Sequence, residues 1–399
     1  MRLRLSPFVM LCIMGGLAIF SSTMSKNPAL PLFIRSMGVP LFTVGFIAAA
    51  STVVGILVSI PAGILSDIVG RRRVILMAGC VFATAPFLYL LITEPWQLVF
   101  VRVYHGLATA ILGPVAMAAV ADTYEKGRGE KMGWYSSATM VGRFLAPLAG
   151  GMLIFGDDFR WVYVADGLAG ALALLAAIRL PLATNASGLA RGAFKEQFFK
   201  YRTELGFILR HGGILGTSGI DAVQYFAYGA IETFLPIFLL EVRGYQEWRI
   251  GLLFTAQIVA AALTKPVMGR LSDRYGRVPM IVAGLILGAV STAFLVVSND
   301  YILTMVIVAA FGLGLATVTA STSALVADLS RAQGRGGAMG VLSSIMDVGQ
   351  STGPIIMGIV VASFSYKPAF ASVAAFMFVV SIVYGLTMRR TSSRMAVTR

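Results

Sequence analysis

Lys26, Arg102, His105, Asp221, Glu232 and Asp347 each stand inside a long apolar run of this chain. Placing an ionisable group away from water is costly, so each one marks a candidate site. The chemistry open to them is proton carriage. A carboxylate shielded from water can load and release a proton as its access to water alternates, and a nearby cation can repel or release that proton. Asp221 is the favoured carrier, Glu232 the second and Asp347 the third, with Arg143 as a candidate counter-charge for Asp347. Arg102 is the cation suited to this work. His105, three residues on, shares its helix face and reads as a satisfied structural histidine. Lys265, close to the end of its run, can snorkel to water.

A different charge pattern occurs twice. Gly63-Ile-Leu-Ser-Asp-Ile-Val-Gly-Arg71 returns as Gly269-Arg-Leu-Ser-Asp-Arg-Tyr-Gly-Arg277, 206 positions later. Each copy joins the end of one apolar run to the start of the next. Gly63 and Gly269 lack a side chain, so a neighbouring helix is expected to approach closely there. Asp67 and Asp273 follow one helical turn on, on the same face. Gly70, Arg71 and Arg72 complete the first cassette, and Arg274, Gly276 and Arg277 the second. The arginines can add ion pairs, so each cassette reads as a charge latch. Arg73 reads as a topology signal alone. The chain has no G-x-x-x-x-G-K-[ST] phosphate loop, no metal-ligand cluster and no nucleophile motif. That argues against an enzyme, catalytic residues, a metal site or a cofactor, and leaves an ion or substrate gradient as the energy source.

The elements that carry these residues must be helices. The chain is 57% hydrophobic and 13% charged, with a mean hydropathy of +0.83, too apolar for a soluble domain of this length. Twelve apolar runs are expected to span a membrane, near 8–34, 42–66, 74–93, 96–122, 132–155, 161–180, 212–240, 249–272, 278–298, 301–327, 337–364 and 368–388. Backbone groups in lipid must bond internally, so the runs form a helical bundle. Arg2 and Arg4 before the first run resemble a signal peptide, but no small-residue cleavage site ends it, and it reads as a retained helix. With the N-terminus in the cytoplasm, 23 of the 32 Lys and Arg fall on the cytoplasmic side. This positive-inside bias places both termini in the cytoplasm. The net charge of +14 therefore reports topology, with anionic membrane lipids as its partner and no nucleic acid implied. Cys12 and Cys80 both fall inside spans and imply no disulfide framework.

The repeat extends beyond the cassettes. Asn27-Pro-Ala-Leu-Pro-Leu-Phe33 matches Glu232-Thr-Phe-Leu-Pro-Ile-Phe238, and Ala121-Asp122 matches Ala327-Asp328. Met132-Gly133, Gly142 and Pro147 return as Met339-Gly340, Gly349 and Pro354, all at offsets between 205 and 207. An ordered series at one offset indicates duplication. The expected organisation is a six-helix bundle over 1–180, a cytoplasmic linker over 181–211 and a second six-helix bundle over 212–399, the two related as parallel repeats. Phe194, Phe198, Tyr201, Leu205 and Ile208 recur at helical spacing in the linker, as in a helix lying at the membrane interface. In the fifth and eleventh spans, Gly142, Pro147, Gly150 and Gly151 and their counterparts Gly349, Gly353 and Pro354 combine bending with tight packing. They are the expected rocking elements.

The chain resembles the major facilitator superfamily, and in particular its twelve-helix drug:proton antiporters. The signature G-x-L-x-D-x-x-G-R-R stands at Gly63, Leu65, Asp67, Gly70, Arg71 and Arg72, with a weaker copy from Gly269 to Arg277. Arg102-Val-Tyr-His-Gly106 resembles the fourth-span motif R-x-x-x-G. Gly142-x-x-x-Ala146-Pro147-x-x-Gly150-Gly151 resembles the fifth-span antiporter motif, with Ala in place of its second Gly. The resemblance implies that Asp67 and Asp273 face helix N-termini of the opposite half, where an anion gains about 0.3–1 kcal/mol. It implies that the first, fourth and seventh helices line a central cavity, and that Asp166, on the peripheral sixth span, is structural. Lys26, Asn27, Tyr104, His105, Gln224, Tyr225 and Tyr228 are then cavity candidates. An aromatic lining with few fixed polar groups suits an amphiphilic organic substrate. Lys26 lies about 27 Å and Glu232 about 30 Å from their cytoplasmic ends at 1.5 Å per residue, so the two either pair as an outer gate or each reach exterior water separately. The expected function is proton-coupled efflux of small organic compounds by alternating access, as in multidrug resistance, by a monomer in the inner (cytoplasmic) membrane. The alternatives are a proton-coupled importer of a metabolite and a sensor of the same fold that does not transport.

Overall fold

The computed structural model describes residues 6–124, 127–180, 206, 210–330 and 335–397. The expected interfacial helix around 194–208 falls outside the described residues. Those residues are helical throughout, apart from turns and one isolated bridge between Phe155 and Asp158.

The helices are α1 Pro7–Met24, α2 Ala29–Ser36, α3 Leu41–Val69, α4 Arg71–Tyr89, α5 Pro95–Thr123, α6 Arg128–Met152 and α7 Arg160–Ile178. After the linker come α8 Gly212–Glu241, α9 Glu247–Tyr275, α10 Arg277–Leu295, α11 Tyr301–Leu329, α12 Arg335–Phe364 and α13 Tyr366–Val397. Their starts follow local chemistry. Ser6 accepts from the Val9 amide at 3.3 Å, and Asp300 from the Leu303 amide at 2.7 Å, each satisfying a donor that the first helical turn leaves bare. Pro95 opens α5, where Gln97 accepts from the Glu94 amide at 3.1 Å. The first span breaks between α1 and α2 because Pro28, at the α2 N-cap, has no amide to continue the ladder.

Among the described residues, eleven segments are long and apolar enough to cross a membrane, counting Pro7–Ser36 as one. Twelve were expected. The twelfth, α6, is a 25-residue helix in the right place, but glycines, serines and Arg143 dilute its hydropathy. The joint between the second and third spans also differs from a loop. Gly70 alone separates α3 from α4, and Gly276 alone separates α9 from α10. Their φ angles of 95° and 96° are ones that a side chain resists, so glycine permits a turn within a single residue.

The chain divides into two compact units. Unit 1 comprises Met1–Val39, Ile47–Arg202 and Leu239–Thr255, and unit 2 comprises Pro40–Phe46, Thr203–Phe238 and Ala256–Arg399. Within unit 1, α1 packs on α6 and α7, and α4 on α5 and α7. The core there is built from Leu11, Met14, Phe82, Leu112, Val115 and their neighbours. Within unit 2, α10 packs on α11 and α13.

Glycine contacts set the helix crossings. A Cβ on Gly142 of α6 would strike the Gly16 carbonyl of α1, and one on Gly349 or Gly353 of α12 would strike the Ala222 or Phe226 carbonyl of α8. In unit 1 the Pro147–Gly151 stretch of α6 also meets the start of α9, where a Cβ on Gly251 would strike the Pro147 carbonyl. Unit 2 repeats this between Pro354 of α12 and Gly45 at the start of α3.

Candidate functional site

The two cassettes fold into charge clusters with matching partners. In unit 1, Arg71 at the first position of α4 pairs with Asp67, one turn before the end of α3. Its Nε reaches Asp122 Oδ2 of α5 at 3.1 Å, and its Nη1 donates to Ser66 Oγ. In unit 2, Arg277 pairs with Asp273 at 2.5 Å and with Asp328 of α11 at 3.1 Å, and donates to Ser272 Oγ at 3.4 Å. The single-residue turns at Gly70 and Gly276 bring each arginine back over its aspartate. Asp122 and Asp328 had been read only as matched repeat residues. The signal that could have found them is a carboxylate at the same offset as the arginines.

The other cassette residues do different work. Arg72 turns away from the carboxylates and donates to the carbonyls of Ile178 and Leu180 at 3.0 and 3.3 Å. It thereby caps the end of α7, where carbonyls lack partners and a cation is favoured. The Arg274 guanidinium lies 5.5 Å from the centre of the Tyr275 ring. Gly63 and Gly269 differ from expectation: among the described residues no atom comes within 4 Å of a Cβ built on either. The close helix approach forms instead at Gly142, Gly349 and Gly353, where backbone meets backbone.

The intramembrane residues fall into separate places. Asp221, 3% exposed, accepts from Thr322 Oγ1 of α11 at 2.7 Å. Gln224 is fully buried beside Gly288 of α10, inside the unit 2 bundle. Tyr228 and Gln350 each donate to Glu232 at 3.4 Å, and the Tyr225 and Tyr228 rings meet edge to face at 5.9 Å. Eleven residues of helix separate Asp221 from Glu232, about 16 Å at 1.5 Å per residue, so they are distinct sites. Asp347 is half-buried on α12, where its carbonyl accepts from Ser351 Oγ at 2.8 Å.

In unit 1, Arg102 is buried and donates through Nη2 to the Ala48 carbonyl at 3.3 Å and to the Ser51 hydroxyl, both on α3. His105 is packed among the rings of Phe82 and Tyr89. Tyr104 shares a hydrogen bond with Thr84 of α4 at 2.9 Å. Asp166 is buried on α7 and bonded to Ser21 of α1. Lys26 and Asn27 occupy the α1–α2 break, with Asn27 buried and Lys26 half-buried.

One charge pair escaped the sequence reading. Arg35, at the end of α2, pairs with Glu241, at the end of α8, and also donates to the Val39 carbonyl at 3.0 Å. The two are 206 positions apart, the repeat offset, so duplication left opposite charges at equivalent positions. They lie nine residues beyond Lys26 and Glu232 respectively.

Long apolar helices, an internal repeat and duplicated charge clusters define a polytopic transporter. The chain belongs to the Major Facilitator Superfamily, whose family description matches residues 11–249 and 222–398. It is therefore a multi-pass membrane transporter and not an enzyme. It is 26% identical over 369 residues to Multidrug resistance protein 2 of Bacillus subtilis, covering 90% of this chain and 89% of that protein. It is 25% identical over 399 residues to Multidrug resistance protein MdtG of Citrobacter koseri, covering 96% and 95%. Among solved structures, a bacterial homolog of the human lysosomal transporter Spinster, inward-facing and unoccupied, aligns with a TM-score of 0.81 at 17% identity over 96% of both chains. The nucleoside transporter NupG aligns at 0.79 and 13% identity, over 96% of this chain and 99% of that one. At these identities the structures speak to the fold alone.

Proposed function

We propose that this protein is a proton-coupled exporter of small amphiphilic organic compounds, working by alternating access. The observation that carries the reading is the duplicated Asp–Arg–Asp cluster, Asp67–Arg71–Asp122 and Asp273–Arg277–Asp328. Exposed ion pairs contribute only about 0–1 kcal/mol each, so such clusters form and break cheaply. That suits latches that must exchange partners in every cycle. The glycine-set crossings of α6 with α1 and of α12 with α8 suit helices that rock without repacking bulky side chains.

The charge bias assigns the cassettes and both termini to the cytoplasmic side of the inner membrane. On that topology Arg35–Glu241 is an outer clasp, with Lys26 and Glu232 each deeper along its own span. Residues 1–180 and 212–399 are the two rocking bundles of a monomer, joined by 181–211. Asp221 carries the proton, with Glu232 and Asp347 as further acceptors and Arg102 as the releasing cation. Efflux is favoured over import by the fifth-span motif, and relatives named multidrug resistance proteins support it. The test is reconstitution in liposomes under an imposed pH gradient, with a panel of organic cations and neutral amphiphiles. Gradient-dependent accumulation lost in Asp221→Asn supports the proposal. Accumulation indifferent to the gradient refutes it.

A further inference from the structure

Asp166 is fully buried on α7, and only half of its carboxyl is satisfied. Its Oδ1 accepts from Ser21 of α1 and the Ser25 hydroxyl stands near the carboxyl, while among the described residues no donor lies within hydrogen-bond distance of its buried Oδ2. Other buried polar atoms of unit 1 share that condition: the Tyr89 and Tyr163 hydroxyls, Nε and Nη1 of Arg102, and both ring nitrogens of His105. They belong to one neighbourhood. The Tyr89 and Tyr163 rings stack 4.4 Å apart, and the Tyr89 ring lies 6.2 Å from that of His105. Arg102 and Asp166 are both within electrostatic reach of the two tyrosine hydroxyls, and Lys26 is within reach of His105.

Buried polar atoms are seldom left without partners, and a buried carboxylate with one oxygen undonated is costly. Arg102 does not supply the missing donor here: its Nη2 is held by Ala48 and Ser51 of α3, and its Nε and Nη1 meet no acceptor. The group that fits a lone carboxyl oxygen in this setting is a proton. We propose that Asp166 is a proton-binding site of the N-terminal bundle, separate from Asp221, and that Arg102 receives the carboxylate when the proton leaves. On release the carboxyl O–H bond breaks, its electron pair stays on oxygen, and the proton passes to water. The Nε and Nη1 groups of Arg102, which have no acceptor here, then gain one.

That exchange has a mechanical consequence. α3 and α5 cross at Ser51 and Gly106, where a Cβ on Gly106 would stand 2.8 Å from the Ser51 carbonyl oxygen. Arg102 bridges this crossing through Ala48 and Ser51, so a guanidinium drawn towards an ionised Asp166 would pull on that bridge. The titratable groups within electrostatic reach of Asp166 are Tyr89 from α4 and Tyr163 on its own helix. Arg102 reaches the same two tyrosines from α5 and, with Lys26 of the α1–α2 break, also reaches His105.

The proposal deepens the proton-coupled reading and rests on it for its role in transport. Its test needs protons alone. Infrared difference spectra of the full chain in liposomes, between acidic and alkaline buffer, should contain a carboxyl C=O band that is lost in Asp166→Asn and kept in Asp221→Asn. Ser21→Ala, which removes the bond to Oδ1, should move that band to higher frequency. An unchanged spectrum in Asp166→Asn overturns the proposal. Should that variant fail to fold, an unmoved band in Ser21→Ala overturns it equally. Gradient-independent transport by the wild type would count against the export reading while leaving the band assignment intact, so the two fail separately.

Discussion

The two charge clusters share one skeleton and differ in their surroundings. Arg71 and Arg277 are similarly shielded, with side chains 22% and 21% exposed, but Asp67 is 39% exposed and Asp273 is 64% exposed. The first cluster is followed by Arg72, which ties α4 to the end of α7. The second has Val278 and Pro279 after its arginine and no equivalent tie. Duplication thus preserved the residues that make the pair and let the supports diverge. A less exposed carboxylate on a better-anchored helix holds its partner more firmly, so the first cassette should dominate gating.

Breaking the clusters one at a time tests that asymmetry. Asp67→Asn should lower transport by about tenfold or more, equivalent to about 1.4 kcal/mol, with expression retained. Asp273→Asn should lower it by about two- to threefold, since a more exposed pair contributes less. Equal losses in initial-rate assays would erase the distinction. Exchanging Arg35 and Glu241 should come next. Arg35→Glu or Glu241→Arg alone should slow transport about threefold, and the double variant should recover most of it, as expected for coupled residues. No recovery would remove the outer clasp. Arg72→Gln should have the smallest effect on rate. It should instead lower the melting temperature of the purified protein, because the last carbonyls of α7 lose a charged cap worth about 0.3–1 kcal/mol. A stability unchanged from wild type would show that Arg72 acts elsewhere.

Much of the fold was legible because its causes are local. Apolar run length gave the spans, and a fixed offset gave the duplication. The span expected at 132–155 corresponds to α6, Arg128–Met152, whose diluted hydropathy blurs its ends in the sequence. That Arg71 and Arg277 could add ion pairs beside Asp67 and Asp273 was readable from the cassettes, but the turns at Gly70 and Gly276 that close those pairs were not. Their third members, Asp122 and Asp328, were not, because they arrive from helices 51 positions along the chain. Arg72 was assigned to the latch on charge alone, whereas the bare carbonyls at the end of α7 compete for it. Gly63 and Gly269 were read as contact points on residue size, but a small residue only permits an approach. Which glycines are used depends on which helices cross there, and that is a tertiary property. Asp166 was read as structural from its place in the sixth span. Its half-satisfied carboxyl became visible only with Ser21, Tyr89 and Arg102 assembled around it.

The central claim is that two unequal charge clusters gate proton-driven transport. The most direct measurement is the initial rate of uptake of a fluorescent organic cation into liposomes under a fixed pH gradient, for wild type, Asp273→Asn and Asp67→Asn at matched reconstitution. The account predicts wild type fastest, Asp273→Asn intermediate and Asp67→Asn close to the protein-free rate. Equal rates across the three, or a wild-type rate that ignores the gradient, would contradict it.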